Sequence, residues 1–250
     1  MRNEADCLVR WLFERVGVSD QPPVDLVELA DRMGVESIKE AAMVEDGRLE
    51  QRMGAATIYV RDDLSGGRRQ FTIAHELGHR LLLHPSAPAT AYRRRLSGDG
   101  VERLCDDVAA SILMPRHWVE AEFKGAARRL RTLRRMAAMS SSSLSASLVR
   151  LREVHQWSES LLRFSCYADR WRLAAPAGVP AALHGCIRTT DDTDRALAEI
   201  GSRTSADAIG ELPLRVATSE LTFRAEISVG RGSAVALLDL RRPTGHSMPS

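Results

Sequence analysis

The stretch FTIAHELGHRLLLHP, residues 71–85, places a glutamate directly after one histidine and a second histidine four residues after the first. Its apolar residues recur at helical spacing, at Ala74, Leu77, Leu81 and Leu82. The proline at position 85 disfavours further helix. The pattern therefore predicts a helix from Phe71 to about His84, with an apolar face toward a core and a second face that carries both histidines.

The spacing of these polar residues has a direct chemical consequence. On a helix, side chains four apart lie one above the other, so His75 and His79 can aim ring nitrogens at one point. Zinc needs such convergence, because it binds imidazole nitrogens at about 2 Å and keeps one position for water in catalytic sites. Glu76 is then placed to take a proton from that water without binding the metal. The alternative is an ordinary helix with polar residues on its exposed face, but the apolar opposite face and the small Gly78 favour a zinc site.

Two histidines leave the coordination incomplete, and the sequence offers several further ligands. The extended metzincin pattern is excluded, because Leu82 and Pro85 stand where it needs glycine and histidine. His84 falls on the opposite side of the helix and is better explained by capping or packing. The segment VERLCDDVAASILMP, residues 101–115, predicts a second helix on which Glu102 and Asp106 share a face.

This second helix supplies the favoured third ligand. The simplest arrangement has Glu102 bind zinc while Asp106 accepts a hydrogen bond from the far nitrogen of a ligand histidine and so fixes its tautomer. The alternative is that both acidic residues only stabilise the positive end of the helix dipole near the helix N-terminus. Spacing alone favours the ligand role for Glu102.

Bulk properties exclude several classes of protein. The net charge of +2 is too near zero for bulk attraction to nucleic acid or membranes, and no apolar run could span a bilayer. The N-terminus lacks the apolar core of a secretory signal. Four scattered cysteines without a C-x-x-C pair suit a reducing compartment, so a cytoplasmic location without membrane association is expected.

The remaining chain divides by pattern. Asp46–Gly47 predicts a hairpin turn and Thr57–Val60 a strand. Helix is expected from His117 to about Val154, with a break at the serine-rich MSSSSLS. Beyond Glu159 short strands surround one helix at DRALAEIGSR, which places a domain boundary near Ser158.

Two segments together carry a family resemblance. The sequence IYVRDDLSGGRRQFTIAHELGHRLLLH followed by ERLCDDVAASILMP resembles the ImmA/IrrE metallopeptidases, and the resemblance covers about Val24 to Pro115. It implies zinc ligands at His75, His79 and Glu102 and a general base at Glu76. The departures from the family pattern, at Gln70, Cys105 and Val108, remove none of these residues.

The resemblance also implies a fold class and a function. The expected α+β chain has a zincin-like metallopeptidase domain (1–116), a helical helix-turn-helix-like segment (117–158) and a small α+β C-terminal domain (159–250), for which a regulatory role rests on position alone. Its implied activity is that of a zinc-dependent endopeptidase of narrow specificity. The implied substrate is a helix-turn-helix transcriptional repressor, whose cleavage triggers a stress or mobile-element response.

A basic segment motivates the alternative function. Residues 124–135 contain one lysine and five arginines, and Arg134 and Arg135 are candidates for docking DNA or substrate. The alternative is a DNA-binding transcriptional regulator with a structural or vestigial metal site. The near-neutral charge of the whole chain favours a solvated arginine face over direct DNA binding, and an intact Glu76 has no use in a purely structural site. Candidates for a second oxyanion donor are Tyr59 and the arginines of loop 92–95.

Overall fold

The computed structural model describes residues 2–52, 55–84, 86–87, 98–174, 176–203 and 207–246. The chain divides into two compact units. Unit 1 comprises Met1–Lys124 and Met136–Ser143, and unit 2 comprises Gly125–Arg135 and Leu144–Ser250. Both helices and strands occur in the chain, so the predicted α+β class is confirmed. None of the helices in the described ranges combines the length and the apolar character that crossing a bilayer requires.

Unit 1 holds five helices and three strands among the residues described. In chain order they are α1 (Arg2–Val16), α2 (Leu26–Arg32), β1 (Val35–Ala41), β2 (Gly47–Arg52), β3 (Ala55–Arg61), α3 (Gly66–Leu83), α4 (Gly98–Leu113) and α5 (Arg116–Glu122). Helix α2 begins where the Asp25 carboxylate accepts hydrogen bonds from the amides of Val27 and Glu28 at 2.9 and 3.0 Å.

The sheet of unit 1 has the strand order β1-β3-β2, with β1 parallel and β2 antiparallel to β3. Strand β3 contains the predicted Thr57–Val60 run, so that prediction is confirmed. The predicted hairpin turn at Asp46–Gly47 is wrong, because the segment before β2 connects strands that both pair with β3 and not with each other. Asp-Gly favours turns locally, but here Gly47 opens an edge strand instead.

Helices α3 and α4 of unit 1 pack against each other. Helix α3 begins at Gly66, five residues before the predicted start, and ends at Leu83 with His84 as its C-cap. The capping explanation for His84 is therefore confirmed. Gly78 of α3 faces Cys105 of α4 so closely that an added Cβ would lie 3.2 Å from the Cys105 Cα. A side chain at position 78 would hold the two helices apart, so the glycine permits their close approach.

The segment 117–158 contains parts of both units. Helix α5 lies in unit 1, α6 (Leu130–Ser140) has residues in each unit, and α7 (Leu144–His155) lies in unit 2. The predicted break in MSSSSLS is confirmed between α6 and α7. The Glu226 carboxylate accepts a hydrogen bond from the Leu130 amide at 2.7 Å, which satisfies a free donor at the start of α6. The two predicted boundaries, after residues 116 and 158, stay predictions.

Unit 2 is built on a six-stranded antiparallel sheet of order β5-β4-β9-β8-β7-β6. The strands are β4 (Ser160–Tyr167), β5 (Arg170–Leu173), β6 (Ile187–Arg188), β7 (Ala208–Val216), β8 (Ser219–Gly230) and β9 (Ser233–His246), and α8 (Asp191–Arg203) is the helix predicted at DRALAEIGSR. Helix α8 packs on β7 and β8. Buried Phe164, Phe223 and Leu212 belong to one hydrophobic cluster, each contributing roughly 1.5–3 kcal/mol by leaving water.

Candidate metal centre

The two histidines of α3 meet an acidic residue of α4. The Nε2 atoms of His75 and His79 are 3.2 Å apart. Glu102 closes a triangle with them, since its Oε2 lies 3.2 Å from the His75 Nε2 and its Oε1 lies 3.5 Å from the His79 Nε2. The structure thus brings together the three side chains that the sequence nominated as ligands.

The size of this triangle matches a zinc site. Donor atoms about 2.0–2.1 Å from zinc in tetrahedral geometry lie about 3.3 Å from one another. The observed donor separations of 3.2–3.5 Å agree with that value, without movement of either helix. Two imidazoles and a carboxylate also leave a fourth position open, as catalytic zinc sites do. The donor set and its spacing therefore fit zinc.

Asp106 lies one helical turn beyond Glu102 and contacts the other nitrogen of His75. Its Oδ1 is 2.9 Å from the His75 Nδ1. Burial lowers the pKa of His75, but the hydrogen bond and the charge of Asp106 outweigh it and leave this pKa raised. The carboxylate thus accepts a hydrogen bond from the Nδ1–H group and leaves Nε2 directed at the triangle.

His79 has no comparable acidic partner on its far nitrogen among the residues described. Burial and the neighbouring His75 lower its pKa, and the charge of Glu102 only partly opposes them. The lowered pKa favours the neutral imidazole, the form that a metal needs.

Glu76 is buried, with 6% of its surface exposed. Burial raises the pKa of its carboxyl group, His75 lowers it, Glu102 raises it, and a hydrogen bond from the backbone of Leu49 lowers it. The net direction is upward, toward the range in which a carboxylate accepts a proton and returns it near neutral pH.

Cys105 is a further metal-binding group that the sequence argument passed over. Its sulfur and one nitrogen each of His75 and His79 all lie within 4.8 Å of one another. Burial raises the pKa of its thiol strongly, and the charges of Glu102, Glu76 and Asp106 add to this. The Glu102 oxygens lie 3.2 and 3.5 Å from the histidine nitrogens, whereas the raised pKa of Cys105 disfavours the thiolate that binds a metal, so Glu102 fits the third ligand position better. The spacing of Cys105 could have indicated this group, because it is three residues after Glu102 and residues three apart share a helix face.

The other nominated residues lie elsewhere. Arg134 forms an ion pair with Asp207 inside unit 2, which occupies its guanidinium, and Arg135 is exposed. Tyr59 lies on β3 with the Arg48 guanidinium 5.6 Å from its ring centre. Loop 92–95 lies outside the described residues. The docking and oxyanion roles of these residues stay predictions.

A cavity of about 590 Å³ lies in unit 1 away from the predicted ligands and is lined by Trp11, Arg15, Arg32 and Arg80, among others. Each of these arginines lies in the last turn of its helix, α1, α2 or α3. Positive side chains there offset the partial negative charge of the free carbonyl groups at the C-terminal ends of the helices. Arg80 also donates a hydrogen bond to the Met33 carbonyl at 3.1 Å. Helix capping accounts for this cluster of arginines.

Comparison with known proteins found a match to a family model and a likeness to a solved structure. A model of the M78 peptidase family, described as the IrrE N-terminal-like domain, matches residues 30–152. A solved structure titled Mycobacterium tuberculosis transcriptional regulator is similar with a TM-score of 0.52 and 12% identity, covering 94% of this chain and 75% of that one. At this identity the likeness shows the fold alone. No curated protein matches significantly.

Proposed function

We propose, from the membership of residues 30–152 in the IrrE N-terminal-like domain family of M78 peptidases, that this chain is a zinc-dependent endopeptidase of narrow specificity. Family membership supports a metallopeptidase-type enzyme. The identity of the metal, its ligands and the substrate go beyond that match and are our proposal. Its zinc ion is held by His75, His79 and Glu102, with Glu76 as general base.

One observation carries the proposal. Donor atoms of three side chains on α3 and α4 lie 3.2–3.5 Å apart, and a buried carboxylate follows the first ligand directly in sequence. A structural zinc site usually has four protein ligands and no open position. The combination of three donors with a buried base is therefore typical of a hydrolytic centre.

Each protein group then has a defined task. Bound zinc supplies Lewis acidity, which polarises a peptide carbonyl and makes water a better nucleophile. Glu76 accepts the proton of the attacking water on its carboxylate and delivers it to the leaving amine, a change its burial-raised pKa favours. Asp106 holds the His75 ring and its tautomer through the 2.9 Å contact with Nδ1.

The proposed substrate is a helix-turn-helix transcriptional repressor, whose cleavage triggers a stress or mobile-element response. This step rests on the family resemblance. Direct DNA binding by the basic segment is the weaker proposal, because contact of Arg134 with a DNA phosphate would compete with its ion pair to Asp207. The similar mycobacterial protein is titled a transcriptional regulator, and that title describes that protein.

The test uses the full chain and the repressors encoded beside its gene. The purified protein, loaded with zinc, is incubated with each repressor, and intact-mass spectrometry locates any cut. We expect cleavage of one repressor at a single site, and none after removal of the metal with a chelator.

Two variants separate catalysis from folding. Glu76→Gln is expected to keep one zinc per chain and lose cleavage by at least about 100-fold. Glu28→Gln, on the exposed surface of α2, is the matched control and is expected to cleave normally. Cleavage by Glu76→Gln at the normal rate, or the absence of any bound zinc in the wild-type protein, would overturn the proposal.

A further inference from the structure

The first residue of β2 touches the side chain of the proposed general base. A Cβ added to Gly47 would lie 2.8 Å from the Glu76 Oε1, 3.2 Å from its Cγ and 2.5 Å from the Thr72 Cγ2. Ordinary van der Waals contact begins at 3.4 Å, so relieving the contact takes about 0.6 Å of movement by the carboxylate oxygen or by β2, the difference between 3.4 and 2.8 Å. Gly47 thus fills its position without displacing Glu76, and alanine does not.

The register of β2 explains how the same strand also holds the carboxylate. The Arg61 amide donates to the Asp46 carbonyl at 2.9 Å, which makes residues 46 and 61 a hydrogen-bonded pair. Alternation along antiparallel strands then makes Leu49 and Ile58 a non-hydrogen-bonded pair, so the Leu49 amide points away from β3. Since β2 is an edge strand, this amide is free of the sheet, and it donates to the Glu76 carboxylate.

The start of β2 is itself anchored on both sides. Asp46 accepts from the Arg68 Nε of α3 at 2.6 Å, and its other oxygen lies 2.8 Å from the Arg61 Nη1 of β3. The residue before Gly47 is therefore tied to the helix that carries Glu76 and to the central strand. These ties limit how far β2 could retreat if position 47 gained a side chain.

We propose that Gly47 is a positioning residue for Glu76: the absence of its side chain lets the carboxylate lie under β2, where the Leu49 amide fixes its direction. The inference rests on the proposed function for the role of Glu76. It adds a residue far from the histidine motif in sequence and assigns β2 a part in orienting the base.

Amide hydrogen exchange at Leu49 tests the geometry without any substrate. Glu76→Ala removes the hydrogen-bond acceptor of the Leu49 amide, and its exchange rate is the reference for complete loss of that bond. We expect Leu49 exchange to be faster by at least about tenfold in this variant. Gly47→Ala should approach that value. The matched control is Gly67→Ala, whose added Cβ would lie 2.6 Å from the Ser142 backbone and thus perturbs α3 without touching Glu76. It should leave Leu49 exchange unchanged relative to neighbouring amides.

A double variant separates positioning from a packing defect. Thr72→Ser removes the methyl group nearest to the added Cβ, so Gly47→Ala/Thr72→Ser should regain stability while the contact with Glu76 persists. With the repressor substrate we expect kcat to fall about 10- to 100-fold, an unchanged KM and one zinc per chain. Normal Leu49 exchange together with normal kcat in the double variant would overturn the proposal. If the wild-type protein cleaves nothing, the proposed function fails, while Leu49 exchange still decides whether Gly47 positions Glu76.

Discussion

Replacing Glu102 should cost far more zinc affinity than replacing Cys105. The two side chains compete for the role of third ligand, and they differ in how readily each offers a metal-binding atom. Both Glu102 oxygens already lie 3.2–3.5 Å from the histidine nitrogens. The Cys105 sulfur lies within 4.8 Å of one nitrogen of each histidine, but burial raises the pKa of its thiol strongly.

The magnitude follows from the number of ligands lost. Zinc binds a thiolate and not a thiol, and the raised pKa of Cys105 disfavours the thiolate, whereas the Glu102 oxygens already lie at ligand spacing from the histidines. Four-ligand zinc sites bind with about 10–16 kcal/mol, or roughly 2.5–4 kcal/mol for each ligand. Loss of Glu102 should therefore weaken zinc binding about 100- to 1000-fold.

The assay is a competition titration with a chromophoric zinc chelator at constant pH. Glu102→Ala removes an exposed carboxylate, so its folding stability should match the wild-type protein. Cys105→Ala keeps the Cβ that packs against Gly78 and should bind zinc within about threefold of wild type, because it removes no ligand. A larger loss of affinity in Cys105→Ala than in Glu102→Ala would refute the ligand assignment.

Two further predictions concern acidic residues. Asp106→Ala should weaken zinc binding about 10- to 100-fold in the same titration, because it removes the contact with His75. The control is Asp99→Ala, at an exposed position of the same helix, which should bind zinc normally. Equal affinities of the two variants would contradict the role of the Asp106–His75 contact. Burial raises the pKa of Asp239, but hydrogen bonds from Arg241 outweigh it and leave this pKa lowered. Its stabilising effect is therefore present above the ordinary pKa of 3.8 and lost as pH falls toward the folded-state value. In urea unfolding, Asp239→Asn should cost up to about 1 kcal/mol at pH 7 and nearly nothing at pH 2, and a constant difference would contradict this.

Helical periodicity made the composition of the candidate site predictable. Residues four apart on one helix must lie on one face, so the positions of His75 and His79, and of Glu102 and Asp106, followed from spacing. The pairing of the two helices followed only from chemistry, because zinc requires a third ligand. In the structure His75, His79 and Glu102 lie 3.2–3.5 Å from one another, and Asp106 contacts the other nitrogen of His75 at 2.9 Å.

The strands of unit 1 were harder to predict. Burial along β1 does not alternate strictly, so its sequence lacks the period-two pattern of a half-buried strand. Strand β2 is an edge strand that carries charged residues. Asp46–Gly47 carried a turn signal, but tertiary contacts with Arg61, Arg68 and Glu76 decide its conformation. The role of Gly47 depends on a neighbour 29 residues away in sequence, and local patterns contain no such information.

The chain path through α6 has a practical consequence for dissecting the protein. Unit 1 includes Met136–Ser143, which follows the first segment of unit 2 in sequence. Ser142 packs beside Gly67 at the start of α3, the helix that carries both histidines. A fragment that stops at residue 116 or 124 lacks this contact and the rest of Met136–Ser143. We therefore expect a shortened version that keeps unit 1 whole to extend through Ser143, which also retains the first segment of unit 2.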